Sequence, residues 1–190
     1  LPKGLVGVEN PSDIFLSERP ADSPGSIIVS NMEGSRPLLV EVQALVTSSS
    51  SIGMPRRMSA GFDHNRTSLL IAIMEKRLGL NLQGEDIFIN IAGGLKISEP
   101  AVDMGVAAAI AGSFRNRSVD PHTVMIGEVG LTGEVRSVMQ LEARLTEAER
   151  LGFKKCVVPH SIKEDRLLNK NSSLRLVPVK TLSEAFDAVF

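Results

Sequence analysis

Ser98-Glu-Pro-Ala-Val-Asp-Met-Gly-Val-Ala-Ala-Ala-Ile-Ala-Gly112 leads into Val124-Met-Ile-Gly-Glu-Val-Gly-Leu-Thr-Gly-Glu-Val-Arg136 and then Leu141-Glu-Ala-Arg144. From Val102 to Ala111 the residues are small and apolar on every side, with Asp103 the sole charge. That pattern predicts a helix covered all round rather than along one stripe. Pro100 suits a first helical turn, and Asp103 lies near enough to meet the unpaired N–H groups and partial positive charge found there. A nucleophile would sit in the same place. Val124–Leu131 and Glu134–Val138 read as two short strands around Thr132-Gly133. Leu141, Leu145, Ala148 and Leu151 then recur at helical spacing, with Gly152 as the stop.

Composition sets the outer bounds. The 190 residues fit one sizeable domain, and 43% hydrophobic content is enough for a core. Lys plus Arg number 21 against 22 Asp plus Glu, so no overall positive field announces nucleic acid. DNA contact would have to rest on a local patch. Trp and Tyr are absent, which leaves only Phe as a platform for stacking bases. The single cysteine, Cys156, lies in an apolar strand pattern and excludes an internal disulfide. His64, His122 and His160 are scattered, no metal-ligand spacing occurs, and no apolar run is long enough for a membrane span.

Working outward, Leu1–Gly25 lacks a clear period and reads as a connector from a longer protein, with one helical turn over Asp13–Glu18; the domain proper is expected over 26–190. Ser26–Met32 and Pro37–Val46 should pair as a hairpin. Thr47–Arg57 is a Ser-rich loop ending in two adjacent arginines, either a solvated linker or a phosphate contact. Leu69, Leu70, Ile73, Met74 and Leu78 mark one face of a helix over Arg66–Leu78, with Gly79 as its stop. Asp86–Ala92 reads as a strand, and Gly93-Gly94 as a sharp turn without Walker or dinucleotide spacing. No Gly-Lys dipeptide occurs, so a Walker A loop is absent from this sequence. Lys155–Val158 and Leu174–Val179 read as strands, Ser161–Leu168 and Leu182–Val189 as helices. This order fits an α+β fold, a mixed α/β sandwich, better than a doubly wound sheet.

The apolar helix with Gly105 near its start, the Gly127-Glu-Val-Gly-Leu-Thr-Gly-Glu-Val135 hairpin and the following helix resemble the proteolytic domain of the Lon family of Ser-Lys peptidases. Matching Gly105 to the family glycine puts Asp103 at the serine position; matching Pro100 to the family proline puts Ala101 there. Arg144 falls at the lysine position, and no lysine occurs between Lys96 and Lys154. A Ser-Lys pair needs a hydroxyl and an amine whose pKa burial can lower, and an arginine stays protonated. The sequence therefore suggests that Asp103 and Arg144 form an ion pair in the former cleft, and that the chain is not itself an enzyme.

Longer motifs narrow the resemblance. Asn10-Pro-Ser-Asp-Ile-Phe-Leu16, Met32-Glu-Gly-Ser-Arg-Pro-Leu-Leu-Val40, Gly61-Phe-Asp-His-Asn-Arg66 and Ala92-Gly-Gly-Leu-Lys-Ile-Ser-Glu-Pro-Ala-Val-Asp103 look like the C-terminal Lon-like domain of the RadA (Sms) family of DNA-repair proteins. The resemblance implies a non-proteolytic domain that assembles with itself as a ring, a hexamer in that family, and offers a DNA surface to a branch-migration motor. A zinc module and a RecA-like ATPase precede it there, so ATP, Mg and Zn are implied only for those domains and no cofactor or metal for this chain. Binding to DNA should be weak and independent of base sequence, through phosphate contacts by Arg56 and Arg57 first and Arg115 and Arg117 second. The expected compartment is the bacterial cytoplasm or, in a eukaryote, a plastid or mitochondrial matrix, with no membrane partner. Two other readings are a working Lon-type serine peptidase using Ser98 or Ser113, and a small-molecule binder in the former cleft.

Overall fold

The computed structural model describes Ser12, Leu16 and residues 22–49, 54–161 and 172–190. The rest of the expected connector and its helical turn, residues 50–53 of the Ser-rich loop, and the expected helix beyond Ser161 lie outside the described residues.

The first hairpin forms as expected. β1 (Ser26–Glu33) and β2 (Arg36–Ser48) run antiparallel in register from Ser26 opposite Gln43 to Glu33 opposite Arg36. The two-residue connection places Gly34 at φ 61°, a conformation that glycine reaches without steric cost. β3 (Arg57–Ala60) lies parallel to β4 (Glu85–Ile91), which pairs antiparallel with β2. On the other side, β5 (Thr123–Met125) joins β1 in parallel. A separate ribbon follows, made of β6 (Glu128–Val129) and β7 (Val135–Arg136). β8 (Lys155–Pro159) and β9 (Arg175–Val179) then extend the main sheet in parallel, giving the order β3-β4-β2-β1-β5-β8-β9.

Alternation along the strands feeds two cores. Ile27, Val29, Val40, Val42, Ile87 and Ile89 face α1 (His64–Leu78), α2 (Asp103–Arg115) and α4 (Leu182–Val189). Ile28, Leu39, Val124, Cys156 and Val158 face α3 (Leu141–Arg150) through Leu145 and Ala148. The fold is α+β, helices packed on both faces of a mixed sheet. Among the described residues, cover on the α3 side stops short of β3 and β4. Leu45 and Met58, each in register with Phe88, are 59% and 58% exposed in a row across three strands. No described helix is long and apolar enough to cross a membrane.

α2 is the central helix: every residue from Asp103 to Gly112 is buried. Its approach to β1 is so close that a Cβ on Gly105 would lie 2.2 Å from Val29 Cγ1. α1 is capped by Asp63, whose Oδ1 accepts the Arg66 N–H at 2.7 Å, and stops at Gly79 with φ 66°. Ile71, rather than Leu69, belongs to its buried face; Leu69 is exposed.

Two departures from the sequence reading have their cause in tertiary packing. The run Val124–Leu131 is not one strand, because its middle is claimed by the start of α2: Gly127 N–H donates to Ala101 O at 2.8 Å, and Met104 N–H donates to Gly127 O at 3.1 Å. The chain leaves the main sheet there and starts the ribbon. Arg57 also does not belong to the Ser-rich loop; it opens β3, a strand whose four residues carry too short a pattern to read. Cys156 is fully buried, and desolvation pushes its thiol up from the ordinary range.

The Gly105 contact yields a test. Alanine ordinarily favours a helix interior by about 1 kcal/mol over glycine, but overpacking costs about 1–3 kcal/mol. Gly105→Ala is expected to lower the unfolding midpoint in urea, and the double variant with Val29→Ala to lose less than the two single losses added together.

Candidate functional site

The segment from Glu99 to Asp103 crosses the sheet end and is held at both ends by arginines from different layers. Pro100–Val102 make a 3-10 turn ahead of α2, as the fixed φ of proline favours. Behind the turn, Asp103 is fully buried and receives both Nε (2.9 Å) and Nη2 of Arg66 on α1, together with the Val129 N–H at 3.1 Å. Arg66 Nη2 also donates to Val129 O at 3.2 Å. The pair thus occupies the free edge of β6 and satisfies its backbone as a neighbouring strand would. Burial pushes the Asp103 carboxyl above its ordinary value, against the pull of the Arg66 hydrogen bonds and the Val129 N–H. The hydrogen bond to Asp103 holds the Arg66 guanidinium above its own ordinary value, so Arg66 stays charged.

Ahead of the turn, Glu99 meets Arg144 on α3. The Arg144 side chain is 1% exposed, and its donors are distributed over four acceptors: Met139 O at 3.0 Å, Ser30 O at 2.5 Å, Glu99 Oε1 at 3.0 Å and Glu99 Oε2 at 2.5 Å. Glu99 Oε1 also accepts the Met32 N–H at 2.6 Å, which ties the end of β1 into the same cluster.

The expected Asp103–Arg144 ion pair does not form. Each residue has a different partner, Arg66 and Glu99 respectively, because the turn puts Asp103 on the α1 side and leaves Glu99 on the α3 side. Sequence reading missed Arg66, Glu99 and Glu128. One signal was available: Arg144 falls between Leu141, Leu145 and Ala148 on the apolar face of its helix, where a charge needs a buried partner. Nothing in sequence spacing could name that partner, 45 residues away.

Between the two clamps opens a cleft of about 360 Å³ whose walls include Phe62, Asp63, Arg66, Ser98, Glu99 and Glu128. A second cleft of about 250 Å³ shares Arg66 and Glu128 and follows the β6–β7 turn. Glu134 anchors that turn. Hydrogen bonds from the Thr132 hydroxyl, backbone N–H groups and Arg136 hold its carboxyl down to about 2. Ser98 lines the first cleft, whereas Ser113 Oγ is committed to the Val46 N–H at 2.9 Å. Among the described residues, no group of three or more His, Cys, Asp or Glu could hold a metal ion.

The four candidate DNA contacts fall into two unlike pairs. Arg56 is clamped by Asp86, with Nε at 2.9 Å and Nη2 at 2.7 Å from Oδ2, and its guanidinium lies 5.5 Å from the Phe88 ring centre. The Arg56 N–H, then its guanidinium, hold the buried Asp86 carboxyl below its usual range. Arg57 Nη2 donates to Leu82 O at 3.0 Å, and its Nη1 is buried without a hydrogen-bond partner among the described residues. Arg115, the last residue of α2, and Arg117 are exposed and have no salt bridge among the described residues. Both lie against Phe190, at 5.9 Å and 5.8 Å, and Arg115 also lies 5.7 Å from Phe186. Lys155 Nζ reaches the same helix end, at 3.1 Å from Ala188 O. Their shared setting is the C-terminal turn of α4.

Residues 41–162 match the family model described as subunit ChlI of Mg-chelatase. The DNA repair protein RadA of Bacillus subtilis is 55% identical over 157 residues, covering 83% of this chain and 34% of the relative. That of Halalkalibacterium halodurans is 49% identical over 187 residues, covering 97% and 40%, and that of Streptococcus pneumoniae 46% over 187 residues, covering 98% and 44%. The chain spans about two fifths of the length of the curated relatives it matches. The matching model is the ChlI one, not a Lon peptidase model. It overturns the expectation that this chain is not an enzyme, since the matched family is described as a subunit of one. The expectation drawn from Asp103 and Arg144 concerned one chemistry, acyl transfer, and does not extend to others.

The Glu99–Arg144 pair can be weighed directly. Removing one partner of a buried pair costs about 3–5 kcal/mol, while apolar replacement of both is often far milder. Arg144→Met is expected to lower stability by about 3 kcal/mol in urea unfolding, discounted because Glu99 keeps 25% exposure. Glu99→Leu/Arg144→Met should lose less than the sum of its single variants.

Proposed function

The chain belongs to the family of subunit ChlI of Mg-chelatase, and from that premise we propose that it works within a DNA-repair enzyme of the RadA type, as its Lon-like, ring-building and DNA-contacting part. The observation that carries the reading is the identity of 45–55% to proteins named DNA repair protein RadA across nearly the whole chain. In this reading ATP, Mg and Zn serve the whole enzyme, and the compartment is the bacterial cytoplasm. Peptide hydrolysis plays no part, because a guanidinium locked onto Glu99 cannot take a proton from a hydroxyl. Ring assembly is supported by the exposed Leu45 and Met58, which flank the partly buried Phe88 in one row among the described residues, an apolar strip of the kind that self-association buries.

The DNA surface in this reading is the edge where β5, β8 and β9 begin. These strands are parallel, so their N-terminal ends share one side: Thr123, Lys155 and Arg175 are in register. Arg115 and Arg117 stand beside that edge with guanidiniums unclaimed by described carboxylates, and Lys154 is exposed there. Arg56, held by Asp86, would have to give up a two-point contact to reach a phosphate.

Each phosphate neutralised on duplex DNA adds about 0.9 to the magnitude of the log-log salt slope. Arg115→Ala/Arg117→Ala is expected to weaken binding of a short duplex irrespective of sequence and to flatten that slope by nearly two units, while Arg56→Ala/Arg57→Ala changes it by less. Unchanged affinity and slope in the Arg115/Arg117 variant would remove this edge from the reading.

A further inference from the structure

The larger cleft beside the Glu99–Asp103 turn has an imbalance of charge that its own residues do not resolve. Asp63, Glu99, Asp103 and Glu128 stand in or directly behind its walls, against the guanidiniums of Arg66 and Arg144. Arg66 is spent on Asp103 and Arg144 on Glu99. Glu128, half-buried, makes no hydrogen bond or salt bridge among the described residues, although it is close enough to Arg66 and Asp103 to act on both electrostatically. Among the described residues the cleft therefore has a net deficit of positive charge and a carboxylate without a hydrogen-bonding partner.

Its other walls are apolar. Phe62 and Ile97 are almost wholly buried and present ring and aliphatic surface to the cavity, with Pro100 beside them. Such a lining suits a cation with a hydrocarbon stem, since lysine and arginine bury their methylenes along apolar surface while the head finds a carboxylate. A bare divalent ion fits poorly: no three carboxylates converge among the described residues, and a hard cation requires several oxygen ligands at short range. The volume, about 360 Å³, exceeds what one water-sized guest needs and suits a long side chain.

We propose that this cleft receives a single arginine or lysine side chain presented by a partner polypeptide, with Glu128 as the carboxylate that pairs with it and Phe62, Ile97 and Pro100 as the wall along its stem. The site is separate from the proposed DNA edge, and its sign is opposite: it repels phosphate and selects a basic residue. Because Arg66 and Asp103 occupy the free edge of β6, the guest enters as a side chain and does not add to β6 as a strand.

The test uses the 190-residue chain and N-acetylarginine methylamide, titrated while backbone amide shifts of Ile97, Ser98 and Val129 are followed by NMR. N-acetylnorleucine methylamide, N-acetylglutamate methylamide and magnesium chloride serve as comparison probes. The arginine probe is expected to shift these amides saturably and more tightly than either other amide. Glu128→Gln, which keeps the shape and removes the charge, should weaken it by at least about threefold, in the range of a partly exposed ion pair. Glu128→Lys, which supplies its own cation, should abolish the shifts. The proposal is overturned if the norleucine probe binds equally well, if Glu128→Gln leaves the arginine affinity unchanged, or if magnesium produces the same shifts at lower concentration.

Discussion

Carrying the Arg144 guanidinium into a site where it is 1% exposed is the constraint around which the rest of this structure is arranged. A buried ion costs several kcal/mol in lost hydration unless hydrogen bonds replace the water. Here the replacements come from three parts of the chain: Ser30 on β1, Met139 before α3, and Glu99 before the 3-10 turn. Satisfying one charge therefore fixes the relative positions of a strand, a helix and the entrance to the central helix. At the other end of the turn, Arg66 and Asp103 do the same for α1, α2 and the β6 edge. The turn is a rivet between layers, and the larger cleft lies beside it.

That arrangement explains why the chain's charges can be nearly balanced overall and still give two unlike surfaces. Charges at the cleft are mutually engaged, with Glu128 left over among the described residues. Cations at the strand edge are held in place by aromatic faces rather than by carboxylates, so Arg115 and Arg117 keep their field available to solvent. Arg56 also lies over a ring, but the Asp86 carboxylate neutralises it.

Local chemistry was legible in the sequence where it is decided locally. Gly79 stops α1, the two aliphatic runs Ser26–Met32 and Pro37–Val46 pair as the first hairpin, and the all-round apolar run of α2 announces a central helix. What could not be read depends on distant backbone. The strand break at Ile126-Gly127 exists because the 3-10 turn takes the Gly127 amide and the first turn of α2 takes its carbonyl, and β3 exists because β4 offers it an edge. The site followed the same rule. Asp103 and Arg144 were recognisable as charges in apolar surroundings, but pairing them with one another ignored that a turn of three residues separates the two sides of the sheet end.

If the riveted turn is a structural centre, the hydrogen bonds that join it to the strand break should open only with the whole molecule. Native-state hydrogen exchange of the Met104 and Gly127 amides, whose partners are Gly127 O and Ala101 O, measures this directly. Both are expected to exchange with the free energy of global unfolding and the full denaturant dependence that accompanies it. Exchange through a local opening several kcal/mol below the global value, with little denaturant dependence, would contradict this.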